Sequence, residues 1–279
     1  MIGDDKMKWA VIVLIILIVF SGCTNNSTSI ADNNIVIHTA YDYVGKDDSF
    51  AAGDGLAAII EIGDKKILFD TPYKDQTTEL GESGFYSNMS LMNLEATDVD
   101  AVVITHTHGV NGLEKFLEKK ADATVFVTSD IETKYYERDF NISPVVIDGV
   151  TEIEKGVFLF PEQEGMAYGD VVQEQFLVLE SEKGPIVLVG CLHQGLENVI
   201  QAVEDEFANK NIYMIYGGFH YKFERDDQVL IEKLDYLREH NVEVVAPCHC
   251  SGELFKQVSM EYQDLEHIEV SAGVSVIID

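Results

Sequence analysis

The sequence predicts an α+β protein in which two sheets carry helices on their outer faces. Three observations lead there: a hairpin early in the chain, strand, helix, strand alternation after it, and apolar strand-like runs in both halves. With 279 residues the chain supports one substantial domain or two small ones, and a hydrophobic content of 46% argues against global disorder.

The elements follow in order. Residues 56–62 and 66–69 are apolar stretches on either side of Gly63 and Asp64, which favour a turn, so they predict a hairpin. Residues 99–105 read as a strand and 111–120 as an amphipathic helix whose apolar face holds Leu113, Phe116 and Leu117. A strand at 124–128 and a helix at 131–139 continue the alternation. Further strands are expected at 174–180, 186–189, 212–216 and 242–246, with helical periodicity at 196–207 and 226–240. No glycine-rich phosphate loop of the P-loop or dinucleotide type occurs.

The segment THTHGVN at 105–111 places His106 and His108 where a strand should end. On an extended backbone, alternate residues share a side, with Cα atoms roughly 6–7 Å apart, so two imidazoles there can share one cation. His193 in GCLHQG and His249 in PCHCSG also follow apolar runs, which predicts one converging loop face. A single histidine past a strand is more often a hydrogen-bonded structural residue; the repetition favours a metal. Three neutral imidazoles suit Zn²⁺ and leave a position for water or substrate, while Fe²⁺ and Mn²⁺ accept the same donors.

Asp70 in FDTP stands at another strand end, where it either caps a loop or orients a ligating imidazole through its second nitrogen. The glycine pair in YGGFHY allows a tight turn presenting His220. His220 and His249 are candidates to orient a nucleophile, accept a proton or contact substrate. Cys191, Cys248 and Cys250 form no clear disulfide framework; Cys248 and Cys250 are either sulfur ligands or structural thiols. Tyr135, Tyr136, Phe219, Tyr221 and Phe223 either line a pocket or fill core.

Residues 9–20 are uninterruptedly apolar, follow Lys6 and Lys8, and precede Ser-Gly-Cys at 21–23. The run is short for a spanning helix, which needs about 20 residues, but suits the apolar region of a signal peptide. It resembles a lipoprotein signal. The expectation is therefore a signal peptide at 1–22, a polar tether at 23–34 lipidated on Cys23, and a folded domain at 35–279 outside the cytoplasmic membrane. A retained, uncleaved anchor is the alternative. The 19 basic and 49 acidic side chains give a net charge of −30, which excludes a nucleic-acid surface built on nonspecific phosphate attraction.

Over residues 35–279 the chain resembles the metallo-β-lactamase fold superfamily, on ILFDT at 67–71, THTH at 105–108, GCLH at 190–193 and PCHCSG at 247–252. Within it the chain is most similar to a dihydropterin-related branch that includes a synthase of methanopterin biosynthesis, on VGCLHQGLENVI at 189–200, YGGFHYKF at 216–223 and HCSG at 249–252. The resemblance implies an αββα sandwich of two mixed sheets, a first metal on His106, His108 and His193, and His249 at a second. The family pattern HxHxDH is broken here, because its last two places hold Val110 and Asn111. Valine cannot ligate and asparagine brings no carboxylate charge, so one divalent ion is expected. The implied function is a metal-dependent hydrolase of an ester or phosphoester. A dihydropterin-related group transferase and a noncatalytic envelope-attached metal- or ligand-binding domain are the alternatives.

Overall fold

Short turns and crossover helices order the chain into two mixed sheets in the computed structural model, which describes residues 34–279 apart from positions 80, 121 and 209. The expected signal peptide, and Cys23 with the rest of the tether up to residue 33, lie outside the described residues. No helix among the described residues is long and apolar enough to cross a membrane.

The first sheet contains β1 (Ile35–Tyr41), β2 (Ala57–Ile62), β3 (Lys65–Phe69), β4 (Ala101–Val103), β5 (Thr124–Phe126) and β13 (Ser275–Ile278), in the order β13-β1-β2-β3-β4-β5. The predicted hairpin is β2–β3, antiparallel, with Gly63 in the left-handed region (φ 60°) at its turn. Pairing then becomes parallel across β3, β4 and β5. Outside this sheet lie α1 (Gly84–Leu91), α2 (Leu113–Leu117) and α3 (Lys134–Phe140).

The second sheet repeats that plan. Its order is β12-β11-β10-β9-β8-β7-β6, from β6 (Thr151–Glu154), β7 (Val157–Ala167), β8 (Asp170–Ser181), β9 (Gly184–Val189), β10 (Met214–Gly218), β11 (Val244–Cys248) and β12 (Glu266–His267). An antiparallel meander, β6 to β9, gives way to parallel β9, β10, β11 and β12. The crossovers contain α4 (Leu196–Glu206), α5 (Asp227–Glu239) and α6 (Glu253–Glu261).

Period-2 alternation separates three apolar seams. Ile60, Ile67, Phe69 and Val103 meet Leu177, Leu188, Met214 and Tyr216 between the sheets. Ile59, Leu68 and Val102 face outward onto Phe85, Met89 and Phe116. Val187, Ile215 and Val245 face outward onto Val199, Leu234 and Phe255. Three seams require four layers, which is the predicted αββα sandwich. The central strands are buried on both faces, so they read as continuous apolar runs in the sequence. The Tyr216 hydroxyl, buried between the sheets, is satisfied by Thr39 Oγ1 at 2.8 Å.

Several elements are shorter than the sequence suggests. β4 leaves the ladder after Val103, because Thr105 N–H donates to Asp70 Oδ1 (2.7 Å) and the Ile104 carbonyl accepts from Gln175 Nε2 (2.8 Å). The helix expected at 111–120 keeps only Leu113–Leu117, since a 3₁₀ turn at Thr107–Val110 precedes it.

Candidate metal centre

Parallel pairing brings the carboxyl ends of β3, β4, β9, β10 and β11 to one edge of the sandwich, the place where α/β sheets collect functional loops. Asp70 follows β3; His106 and His108 follow β4; Cys191 and His193 follow β9; His220 follows β10; His249 and Cys250 follow β11. Asp70 (φ 56°), Leu192 (61°), His220 (58°) and His249 (48°) adopt left-handed backbone conformations. Such conformations cost about 1–3 kcal/mol each and persist only where surrounding contacts impose them.

The ring of His106 lies 4.9 Å from His108 and 4.8 Å from His193, with 5.8 Å between the last two, centroid to centroid. One ligand atom from each of these histidines and from Cys191 falls within 4.8 Å of the others. His106 Nε2 and His193 Nε2 are buried without a hydrogen-bond partner. Buried ring nitrogens are rarely left alone, and a cation is a chemical partner that would satisfy several together. Burial pushes His106 down to about 3, against the opposing pull of Glu174, and burial also lowers His108. Neutral imidazole is the ligating form, so this donor set fits a divalent cation.

Side chains beneath the rings hold them in place. Glu174 of β8 is fully buried; Oε1 accepts from Cys191 N (2.7 Å) and Leu192 N (2.9 Å), and Oε2 accepts from His193 N (2.6 Å). Its Oε2 also lies 3.0 Å from His193 Nδ1, an ion-pair distance without hydrogen-bond alignment. Burial would raise this carboxyl, but His106, His193 and the Cys191 N–H outweigh burial and hold it at about 2. Glu174 thus folds the 191–193 loop and fixes the His193 ring together.

Asp70 reaches its imidazole indirectly. It accepts from Thr105 N (2.7 Å) and Thr105 Oγ1 (2.6 Å), and Thr105 Oγ1 lies 2.8 Å from His106 Nδ1. Burial raises Asp70 to about 7, partly offset by the Thr105 hydroxyl and N–H. Two glycines leave room for this carboxylate: a Cβ on Gly109 would stand 2.1 Å from Asp70 Oδ1, and one on Gly190 2.1 Å from Thr105 Oγ1.

The remaining residues of interest separate into those at the edge and those away from it. His220 sits 4.5 Å from His193, ring to ring, and its own backbone makes the turn, because Gly217 and Gly218 still belong to β10. His249 groups with Cys191 and Cys250 instead of the three imidazoles. Cys248 points into the inter-sheet seam. Val110 packs against the outer seam of the first sheet, and Asn111 is exposed, its Nδ2 donating to the Tyr73 carbonyl at 3.2 Å. Tyr136 and Phe219 fill outer seams, and Tyr221 packs on one; the Tyr135 side chain is outside the described residues.

A small cavity of about 10 Å³ lies among Asp70, Tyr73, His106, His108, Cys191 and His249. A wider groove of about 720 Å³ lies elsewhere, beside Tyr86 and Lys115, and is lined by no imidazole or thiol. Around the centre, Tyr73 is edge-on to His108 (5.2 Å), while exposed Tyr168 and Phe223 stand 6.2 Å apart beside His220. Tyr43 stacks on His249 at 4.9 Å, its hydroxyl donates to Asp54 (2.6 Å), and Lys222 Nζ donates to that hydroxyl (3.0 Å). Among the described residues, no carboxylate forms an ion pair with Lys222.

Sequence reasoning missed Glu174, Thr105, Asp42 and the convergence of Cys191 with Cys250. Asp42, buried after β1, accepts from His249 N at 2.7 Å. A glutamate inside the 174–180 strand was a legible signal, since charge in a run destined for burial needs a partner.

A family model for the metallo-beta-lactamase superfamily matches residues 51–249. Among curated proteins, the chain is 25% identical to a 7,8-dihydropterin-6-methyl-4-(beta-D-ribofuranosyl)-aminobenzene-5'-phosphate synthase of Methanocaldococcus jannaschii, over 82% of this chain and 92% of that one. An uncharacterised protein of the same organism is 26% identical, over 78% and 89%. Among solved structures, a metal-dependent hydrolase of the beta-lactamase superfamily, Tm1679, superposes with a TM-score of 0.66 at 22% identity, covering 87% of this chain and 98% of that one. The metallo-beta-lactamase fold protein YhfI of Bacillus subtilis gives 0.63 at 11% identity, covering 88% and 99%.

Proposed function

The chain belongs to the metallo-β-lactamase superfamily, and on that footing we propose that it is a metal-dependent hydrolase of an ester or phosphoester. The catalytic ion, in this reading zinc, is held by His106, His108 and His193. The observation that carries the reading is the meeting of three imidazoles with buried, partnerless Nε2 atoms on His106 and His193. Such an ion supplies Lewis acidity and makes water acidic enough to serve as a nucleophile near neutral pH.

The chain's own groups do the rest. Glu174 holds the His193 backbone and stands 3.0 Å from its Nδ1, and the Asp70–Thr105 pair meets His106 Nδ1, so both imidazoles are positioned before substrate arrives. His220 Nδ1, buried and without a protein partner, is positioned to take up or return a proton at the reacting group. Lys222 supplies a cation at the rim of a strongly acidic molecule, which favours an anionic substrate such as a phosphoester. Tyr168 and Phe223 offer exposed rings for an apolar or flat substituent.

Those rings and the 25% identity to the dihydropterin-related synthase also support a second reading, group transfer to or from a pterin-like substrate. The apolar run at 9–20 and Ser-Gly-Cys at 21–23 support an extracytoplasmic domain tethered to the membrane through lipid on Cys23, a poor setting for intracellular biosynthesis.

Metal-loaded and metal-stripped full chain would be assayed on aryl phosphomonoesters, aryl phosphodiesters and aryl acetates, with His108→Ala alongside. Metal-dependent turnover that falls at least a hundredfold in the variant is expected. A fully loaded wild type that turns over none of these substrates would replace hydrolysis with transfer or binding.

A further inference from the structure

We propose that Cys191, His249 and Cys250 form a second, sulfur-rich cation site selective for a thiophilic ion such as Zn²⁺, with the Cys191 sulfur shared with the three-imidazole position. One ligand atom from each of the three residues lies within 4.8 Å of the others, and Cys191 also falls within that distance of the His106, His108 and His193 donors. The site deepens the hydrolase reading and rests on it only through this shared sulfur.

The three side chains come from two strand ends. Cys191 leaves β9, and His249 and Cys250 leave β11, with β10 between them. All are at least nine-tenths buried, with exposures of 3%, 9% and 6%. His249 is held from three sides: its ring stacks on Tyr43, its N–H is bonded to Asp42, and its backbone is left-handed. Despite this, His249 Nδ1 has no partner. A strained and immobilised imidazole with a free buried nitrogen is poorly explained as filler.

The cysteines contrast with the third thiol of the domain. Cys248 lies in the inter-sheet seam among aliphatic side chains, the setting of a structural cysteine. Cys191 and Cys250 belong to none of the three apolar seams; the Cys250 thiol donates to the Cys191 carbonyl across a long 3.7 Å and also meets the Cys191 thiol and the His220 ring. Both are free thiols. On binding, each thiol loses its proton to solvent and becomes a thiolate donor. Two thiolates bring the negative charge that Val110 and Asn111 cannot. They also change the preference, because sulfur favours Zn²⁺ and other soft ions over Mg²⁺ or Mn²⁺. The expectation of a single ion follows only if imidazoles and carboxylates are counted.

The test uses the reduced, metal-free full chain titrated with Co²⁺ and then Zn²⁺, reading ions bound per chain and the thiolate-to-cobalt charge-transfer absorption. Two ions and an intense near-ultraviolet band are expected in the wild type, which carries the test without any variant. Cys250→Ser should bind one ion and lose most of the band; Cys248→Ala should keep both ions and the band. A wild type that binds one ion with no band overturns the site, as does a band unchanged in both Cys191→Ser and Cys250→Ser. His108→Ala should lose one ion and retain a band. If that variant still binds both ions as tightly as the wild type, the three-imidazole reading fails while the sulfur site stands.

Discussion

Replacing Glu174 by glutamine tests how the centre is held. The substitution keeps size and one oxygen, so the contacts of Oε1 with Cys191 N (2.7 Å) and Leu192 N (2.9 Å) can survive. The other oxygen becomes an NH₂ group facing the His193 N–H, which donated to it across 2.6 Å. Two donors then oppose each other in a fully buried place. Losing a hydrogen bond to a charged acceptor costs about 1.5–3 kcal/mol, and a buried N–H left unpaired costs about 1–3 kcal/mol. Together they give about 2.5–6 kcal/mol, centred on the roughly 3–5 kcal/mol typical of breaking a buried ionic arrangement. In a domain of this size a loss of about 3–5 kcal/mol lowers Tm by roughly 6–20 °C, to be read from thermal unfolding of metal-free protein. Because the same oxygen sits 3.0 Å from His193 Nδ1, affinity for Zn²⁺ should also fall by about 10–100-fold. Glu197→Gln, which removes an exposed partner of Lys233, should change stability by less than about 1 kcal/mol. A Glu174→Gln protein within about 1 kcal/mol of wild type and of equal metal affinity would refute the argument.

Three further outcomes are expected, two from the same geometry and one from the amino-terminal sequence. Thr105→Val removes the hydroxyl linking Asp70 to His106, and should weaken metal binding by about 10–100-fold in equilibrium titration while costing only about 1–3 kcal/mol in urea unfolding. Gly190→Ala drives a methyl to 2.1 Å from Thr105 Oγ1, so unfolding should show a loss of about 1–3 kcal/mol or more and reduced metal content. Cys23→Ser should move the protein out of the membrane pellet and remove a lipid adduct detectable by mass spectrometry of the wild type.

Much of the architecture is legible in the sequence because burial imposes periodicity. The β2–β3 hairpin follows from two apolar runs around Gly63 and Asp64, and β9 to β11 follow from strands buried on both faces. The long β7–β8 ribbon is harder to read. β7 contains Pro161 within a polar stretch, and the ladder shifts register between Phe160 and Gln163, so the alternation that marks a strand is interrupted. Histidines at strand ends are visible one motif at a time. A glutamate in the 174–180 run signals burial with a partner, but which partner emerges only when β8 pairs with β9 and lays its carboxylate under residues 191–193. Cys191 and Cys250 are 59 positions apart and meet only because β9, β10 and β11 are adjacent and parallel. Long-range pairing of this kind leaves no local pattern in a chain.

Whether His106, His108 and His193 share one cation is read from X-ray absorption at the zinc edge. Wild type and His108→Ala would be loaded side by side at equal free Zn²⁺. Imidazole scattering from nitrogen donors at about 2.0–2.1 Å is expected in the wild type, with a clear loss of that scattering in the variant. Identical spectra and identical metal content in the two proteins would contradict it.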